Sequence, residues 1–206
     1  RLGLSKEGAA AQTIEMLRKV RLAEPEKLVR KYPLQLSGGM RQRVMIAMAI
    51  ACKPEILLAD EPTTALDVTV QAQVLELISD LRNEFGMSMV IVTHDLGIVA
   101  GYCDRIAVMY AGEIVELANT ADLFANPRMP YTEALLNSIP KLTDSSGAQM
   151  RSIEGAPPDP VSVTKGCFFA PRCSYATDRC RNEHPDLVDA GNGRMYRCFF
   201  PVGIGK

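Results

Sequence analysis

Leu36-Ser37-Gly38-Gly39-Met40-Arg41-Gln42-Arg43 decides the reading of this chain, because further motifs lie downstream of it at fixed distances. Next comes Ile56-Leu57-Leu58-Ala59-Asp60-Glu61-Pro62, an apolar run ending in two adjacent carboxylates, then Ala65-Leu66-Asp67, then Val92-Thr93-His94-Asp95. Ser37-Gly38-Gly39 reads as the opening of a helix, with serine as the cap. The N–H groups of a helix start have no partner within the helix, and the dipole adds positive potential, so such a start suits an anion. A glycine turn behind a serine cap has the same local sequence, and only the neighbouring motifs separate the two readings. Asp60 and Glu61 close an apolar strand. Successive strand residues point to opposite sides, so the two carboxylates can do two different jobs. Placed beside a leucine-rich strand they are costly without a nearby cation. The alternative is a solvated strand end turning at Pro62.

Outward from these motifs, residues 5–20 predict a helix capped by Ser5, and Gly39 to Cys52 a second, after the break at Tyr32-Pro33. Ile56 to Ala59 predicts a strand buried on both faces. Val68 to Glu84 predicts an amphipathic helix with Val70, Val74, Leu77, Ile78 and Leu81 on one side. Met87 to Thr93 is a second strand. Strand, long helix, strand is a crossover unit, which places Asp60 and His94 at one edge of a parallel sheet. Arg105–Tyr110 and Glu113–Leu117 flank Ala111-Gly112 as a hairpin, with short helices beyond it around Asp122 and Leu135. From Thr143 to Gly166 the sequence is rich in Pro, Gly, Ser and Asp and reads as a linker.

The 206 residues are 47% hydrophobic and 23% charged with a net charge of −1, the profile of a globular protein without the basic face that nucleic-acid binding needs. No stretch approaches the roughly 20 apolar residues of a membrane span. Four of the six cysteines fall in the pattern Cys167-x5-Cys173-x6-Cys180-x17-Cys198. Thiols so crowded in a segment with little core suggest a metal or cluster staple, although the Cys-x2-Cys knuckles of structural zinc are missing. Free buried thiols are the other reading. Cys52 and Cys103 read as small core residues, and His184 as structural.

The four motifs in this order resemble the ATP-binding cassette (ABC) ATPases. The segment Gly166-Cys-Phe-Phe-Ala-Pro-Arg-Cys-Ser-Tyr-Ala-Thr-Asp-Arg-Cys180, after Pro130-Tyr-Thr-x-x-Leu-Leu136, narrows the resemblance to the ATPase subunits of oligopeptide and dipeptide importers. The resemblance implies an α/β fold of the P-loop NTPase type, a parallel sheet flanked by helices with a helical signature region, and a small Cys-rich C-terminal extension. The expected organisation is 1–142 for the ATPase part, 143–166 for the linker and 167–206 for the extension. It implies that Asp60 holds Mg²⁺, that Glu61 is the general base for water attacking ATP, and that His94 meets the γ-phosphate. Ser37, Gly38, Gly39 and Gln42 would contact ATP held by the opposing subunit, and Asp67 would cross that interface, although Asp67 also reads as the cap of the helix from Val68. Met40, where many ABC proteins carry Gln, departs little from the importer subgroup.

The resemblance further implies a 4Fe-4S cluster on Cys167, Cys173, Cys180 and Cys198, with Zn²⁺ as the alternative. Implied partners are a second ATPase subunit, two transmembrane permease subunits and, indirectly, an extracytoplasmic peptide-binding protein. The implied location is peripheral, on the cytoplasmic face of the cell membrane. No Gly-x-x-x-x-Gly-Lys-Ser/Thr loop occurs in the chain, which begins at Arg1. The expectation is therefore a P-loop upstream and little ATP binding by this piece alone. Two other classes fit the motifs less well: a soluble ABC ATPase without transport, and a metal-binding interaction module with an inert ATPase remnant.

Overall fold

The computed structural model describes residues 3–64, 66–139, 153–158 and 165–203, in two compact units, 1–98 and 99–206. The first contains α1 (Lys6–Lys19), α2 (Pro25–Leu28), a 3₁₀ turn (Pro33–Gln35), α3 (Gly38–Ile50), β1 (Ile56–Asp60), α4 (Val68–Phe85) and β2 (Ser88–Val92), and α5 (Leu96–Tyr102) runs across the boundary. The sequence explains these limits. Ser5 Oγ accepts from the Gly8 amide at 3.1 Å to start α1. Gly86 ends α4 in the left-handed conformation at φ 64°, where a Cβ would be strained.

Helical spacing puts Met16, Leu17 and Val20 of the α1 end, Ile46, Ala47 and Ile50 of α3, and Val74, Leu77, Ile78 and Leu81 of α4 into one core with Leu57 of β1. Each fully buried aliphatic side chain of this kind stabilises by about 1.5–3 kcal/mol relative to exposure. Arg43 ties the layers together, donating to the Val20 carbonyl at 3.1 Å and to Gln73 at 3.3 Å.

β1 and β2 pair in parallel, Ile56 opposite Ser88 through Asp60 opposite Val92. The expectation that β1 is buried on both faces does not hold in this structure. Leu57 is buried, whereas Ile56 and Leu58 are 60% and 74% exposed. Among the described residues β1 pairs only with β2, and α4 with the helical core covers one face of the pair. An apolar run signals that a strand has a covering layer, but not where that layer comes from.

In the second unit β3 (Arg105–Tyr110) and β4 (Glu113–Asn119) form an antiparallel hairpin. Ala111 and Gly112 have φ of 50° and 82°, the positive pair that a two-residue hairpin turn requires. Then come α6 (Thr120–Ala125), α7 (Pro130–Asn137), α8 (Asp178–Asn182), β5 (Val188–Asp189) and β6 (Met195–Tyr196). The sheet order is β3-β4-β6-β5, so the Cys-bearing tail extends the hairpin's sheet. Ile106, Val108, Tyr110, Val115, Leu123, Met129 and Phe169 make one core, in which Tyr110, Tyr131 and Phe169 stack with centroids 4.6–5.3 Å apart.

This division differs from the 142/143 and 166/167 boundaries expected from composition. The tail has too few aliphatic residues for a core of its own and shares that of the hairpin. Most of the expected linker lies outside the described residues. Its described part is anchored: Arg172 donates to the carbonyls of Ile153 and Glu154, both at 2.9 Å. No described helix is long and apolar enough to cross a membrane.

Candidate functional site

The first unit gathers the motifs at helix starts and strand ends. Ser37 caps α3, its Oγ accepting from the Met40 amide at 3.2 Å. Behind it, a Cβ on Gly39 would fall 2.8 Å from Val70 Cγ1, closer than real carbon atoms approach. Gly39 therefore lets the first turn of α3 pack onto α4. Gly38 is exposed beside Leu66, and Gln42 lies half-buried one turn into α3. Asp67 caps α4, its Oδ1 accepting from the Val70 amide at 3.0 Å, so its structural reading holds whatever else it does.

At the sheet edge, Asp60 ends β1 opposite Val92, and the Glu61 amide donates to the Val92 carbonyl at 2.9 Å. Glu61 then turns into the left-handed region at φ 43°, which a non-glycine residue adopts at a cost and mostly where a site demands it. That turn brings its carboxylate to two partners. Thr64 Oγ1 donates to Oε2 at 2.7 Å, and His94 Nδ1 lies 3.2 Å from Oε1. The Thr64 hydroxyl, then the His94 contact, hold the Glu61 carboxyl below its ordinary range. His94 is placed by Thr93 and Asp95. Thr93 Oγ1 accepts from the Asp95 amide at 3.1 Å, and Asp95 accepts from Gly97 at 2.8 Å at the start of α5. Both Glu61 and His94 open to solvent. Sequence reasoning found Asp60, Glu61 and His94 but missed Thr64, whose three-residue spacing from Glu61 was the available signal.

In the second unit Cys167, Cys173, Cys180 and Cys198 line a single small apolar cavity with Phe169, Phe199 and Phe200. Gly166 makes this closure possible: a Cβ there would sit within 2.5 Å of the Cys180 carbonyl oxygen, and the Cys167 amide donates to that same oxygen at 2.8 Å. Burial pushes the thiols of Cys167 and Cys173 up, and that of Cys198 up to about 11. Among the described residues, no three His, Cys, Asp or Glu side chains stand close enough to hold one metal ion. Glu116, another residue the sequence did not single out, is wholly buried in β4. It accepts from the amides of Arg128 and Met129 at 2.8 and 2.9 Å and from Arg194 at 2.9 Å.

The profile of the family described as "ABC transporter" matches residues 4–64, and that of "Oligopeptide/dipeptide transporter, C-terminal region" matches residues 115–180. The two profiles match separate stretches, each about three tenths of the chain, and the chain is similar to both families. It is 50% identical over 200 residues to the oligopeptide transport ATP-binding protein OppD of Salmonella typhimurium, covering 97% of this chain and 59% of that protein. It is 49% identical over 196 residues to AppD of Bacillus subtilis, another oligopeptide transport ATP-binding protein, covering 95% and 60%. With the dipeptide transport ATP-binding protein DppD of Escherichia coli it shares 46% over 200 residues, covering 97% and 61%. The chain thus spans about three fifths of the length of these curated relatives. Among solved structures, a dimeric post-hydrolysis state of the ATP-binding cassette MJ0796 with ADP and Pi is similar at TM-score 0.51 and 36% identity, over 58% of this chain and 50% of that one.

Proposed function

We propose that this chain is part of the ATP-hydrolysing subunit of an ABC importer of oligopeptides or dipeptides. The observation that carries the reading is the Glu61–His94 contact of 3.2 Å at the C-terminal ends of two parallel strands, with Asp60 beside it. Ligands of open α/β sheets bind at that edge. Glu61, ionised and fixed by Thr64, accepts a proton from the water that attacks the γ-phosphate. His94 orients that carboxylate and meets the phosphate. Asp60 would hold Mg²⁺, which supplies charge neutralisation on the phosphates. Ser37, Gly38, Gly39 and Gln42, at the start of α3, contact ATP bound to the opposing ATPase subunit, and Asp67 lies at that interface. The pair works with two membrane permeases, at the cytoplasmic face of the membrane.

The test uses the subunit at the length of its relatives, with a P-loop. With Mg²⁺, Glu61→Gln lowers ATP turnover by about 100-fold or more while ATP still binds. Turnover within about tenfold of the parent removes Glu61 from the role of base. Peptide-stimulated turnover in vesicles containing the permeases tests the substrate class.

For the tail, the reading is a 4Fe-4S cluster on Cys167, Cys173, Cys180 and Cys198. Its support is that all four thiols line one cavity, walled by aromatic rings. Zinc is less well supported, since tetrahedral Zn–S bonds of about 2.3 Å need a tighter gathering of thiolates than any three described side chains make. Bound there, the cluster would supply a covalent staple and a one-electron centre. Anaerobic protein with about four irons per chain, lost in Cys180→Ser, is the expected result. Stoichiometric zinc, or four freely titrating thiols, overturns it.

A further inference from the structure

We propose that Thr177 is a positioning residue of the four-thiol site, its hydroxyl donating to the Cys180 sulfur and thereby setting the reduction potential and retention of a cluster held there. The inference rests on the cluster reading above. Thr177 occupies the cap position of α8, where a threonine ordinarily accepts from the amide of the second or third helical residue. Its side chain makes no such bond. Oγ1 instead stands 3.5 Å from the sulfur of Cys180, the third residue of the helix, within the longer reach of a hydrogen bond to sulfur. With a thiol, either atom can donate. A metal-binding cysteine is deprotonated, and a thiolate can only accept, so the hydroxyl must then donate.

The main chain of Phe169 and Ala170 lies close to Cys167, that of Tyr175 to Cys173 and that of Phe200 to Cys198, and each opposes the upward push of burial on its thiol. At Cys180 the donor identified is a side chain, so it is the one that mutation can remove. Hydrogen bonds to ligand sulfurs favour the more negative, reduced form of a cluster and raise its potential, and outer partners hold the ligand in place.

The experiment uses the subunit at the length of its relatives, loaded anaerobically with ferrous iron and sulfide. It compares the parent with Thr177→Val, Thr177→Ser and Thr177→Asp. Thr177→Val should keep its iron stoichiometry but shift the dye-titrated reduction potential to more negative values and lose iron to a chelator about tenfold faster. Thr177→Ser should restore both. Thr177→Asp, a strong helix cap that cannot donate, should not. A potential for Thr177→Val equal to the parent's, or full rescue by Asp but not Ser, overturns the role and leaves Thr177 a helix residue only. A parent chain that takes up no iron overturns the cluster reading itself, and this inference with it.

Discussion

Glu61 and His94 meet at 3.2 Å although 33 residues separate them, because β1 and β2 pair in register and each side chain leaves just past its strand. The approach depends on the left-handed turn at Glu61, held from below by the Val92 carbonyl and from the side by Thr64. A base set in this way has its acceptor atoms oriented before substrate arrives, which removes reorganisation from the reacting step.

Thr64 is the stronger of the two influences on the Glu61 carboxyl. In Thr64→Val the midpoint of Glu61, followed by carbon-13 NMR of its carboxyl, should rise towards the ordinary carboxylate range. In His94→Ala the rise should be smaller. A depressed folded pKa favours the fold above the ordinary carboxylate range, and that contribution disappears as pH falls through the folded value. Glu61 is exposed, so the stability change should be slight and the titration is the proper readout. An unmoved midpoint in Thr64→Val contradicts the hydrogen bond.

Gly39→Ala should destabilise the first unit by about 1–3 kcal/mol, because its Cβ meets Val70 Cγ1 at 2.8 Å and α3 must lift from α4. Val70→Ala removes the opposing methyl groups, so the double variant should be less destabilised than the sum of the singles. Chemical denaturation monitored by circular dichroism measures the cycle. Strict additivity shows that the two positions do not touch.

What the sequence made legible depends on the range of the interaction. Ser5, Ser37 and Asp67 cap helices three residues or fewer from the amides they bind, so the starts of α1, α3 and α4 could be read locally. The placing of Asp60 and His94 at one edge was legible because a crossover unit brings strand ends together, whereas the contact of His94 with Glu61 was not, since it depends on the left-handed turn at Glu61. Glu116 was not: its partner Arg194 lies 78 residues away, and nothing near a glutamate in a strand announces burial. The short strands β5 and β6 have two residues each, too few for any periodicity. The open face at Ile56 and Leu58 went unread because hydrophobicity reports the need for cover, not its source.

Glu116→Ala should destabilise the second unit by about 3–5 kcal/mol, the usual consequence of removing one partner from a buried charge. Arg194 donates both to Glu116 and to the Asn126 carbonyl, so it would be left with a buried guanidinium half compensated. The amides of Arg128 and Met129 would lose their acceptor just before α7. Calorimetric melting should fall accordingly, and hydrogen exchange at the Met129 amide should quicken. A melting point within about a degree of the parent's excludes the network as a structural element.

Gly166→Ala should disrupt the tail more than any exposed substitution, and for a backbone reason. The added Cβ would lie within 2.5 Å of the Cys180 carbonyl oxygen and the Arg181 carbonyl carbon, main-chain atoms that cannot rotate away. The chain must retreat there, breaking the 2.8 Å bond from the Cys167 amide to the Cys180 carbonyl that draws two of the four thiols to one cavity. Overpacking of this kind costs about 1–3 kcal/mol, more where backbone is the obstacle. Gly101→Ala is the control, since nothing lies within 4 Å of a Cβ at that position and its φ is not positive. Thiol labelling of native protein reads the difference. Cys180, buried in the parent, should react markedly faster in Gly166→Ala and at the parent's rate in Gly101→Ala. Equal labelling of Cys180 in all three proteins means that Gly166 does not hold the cysteines together.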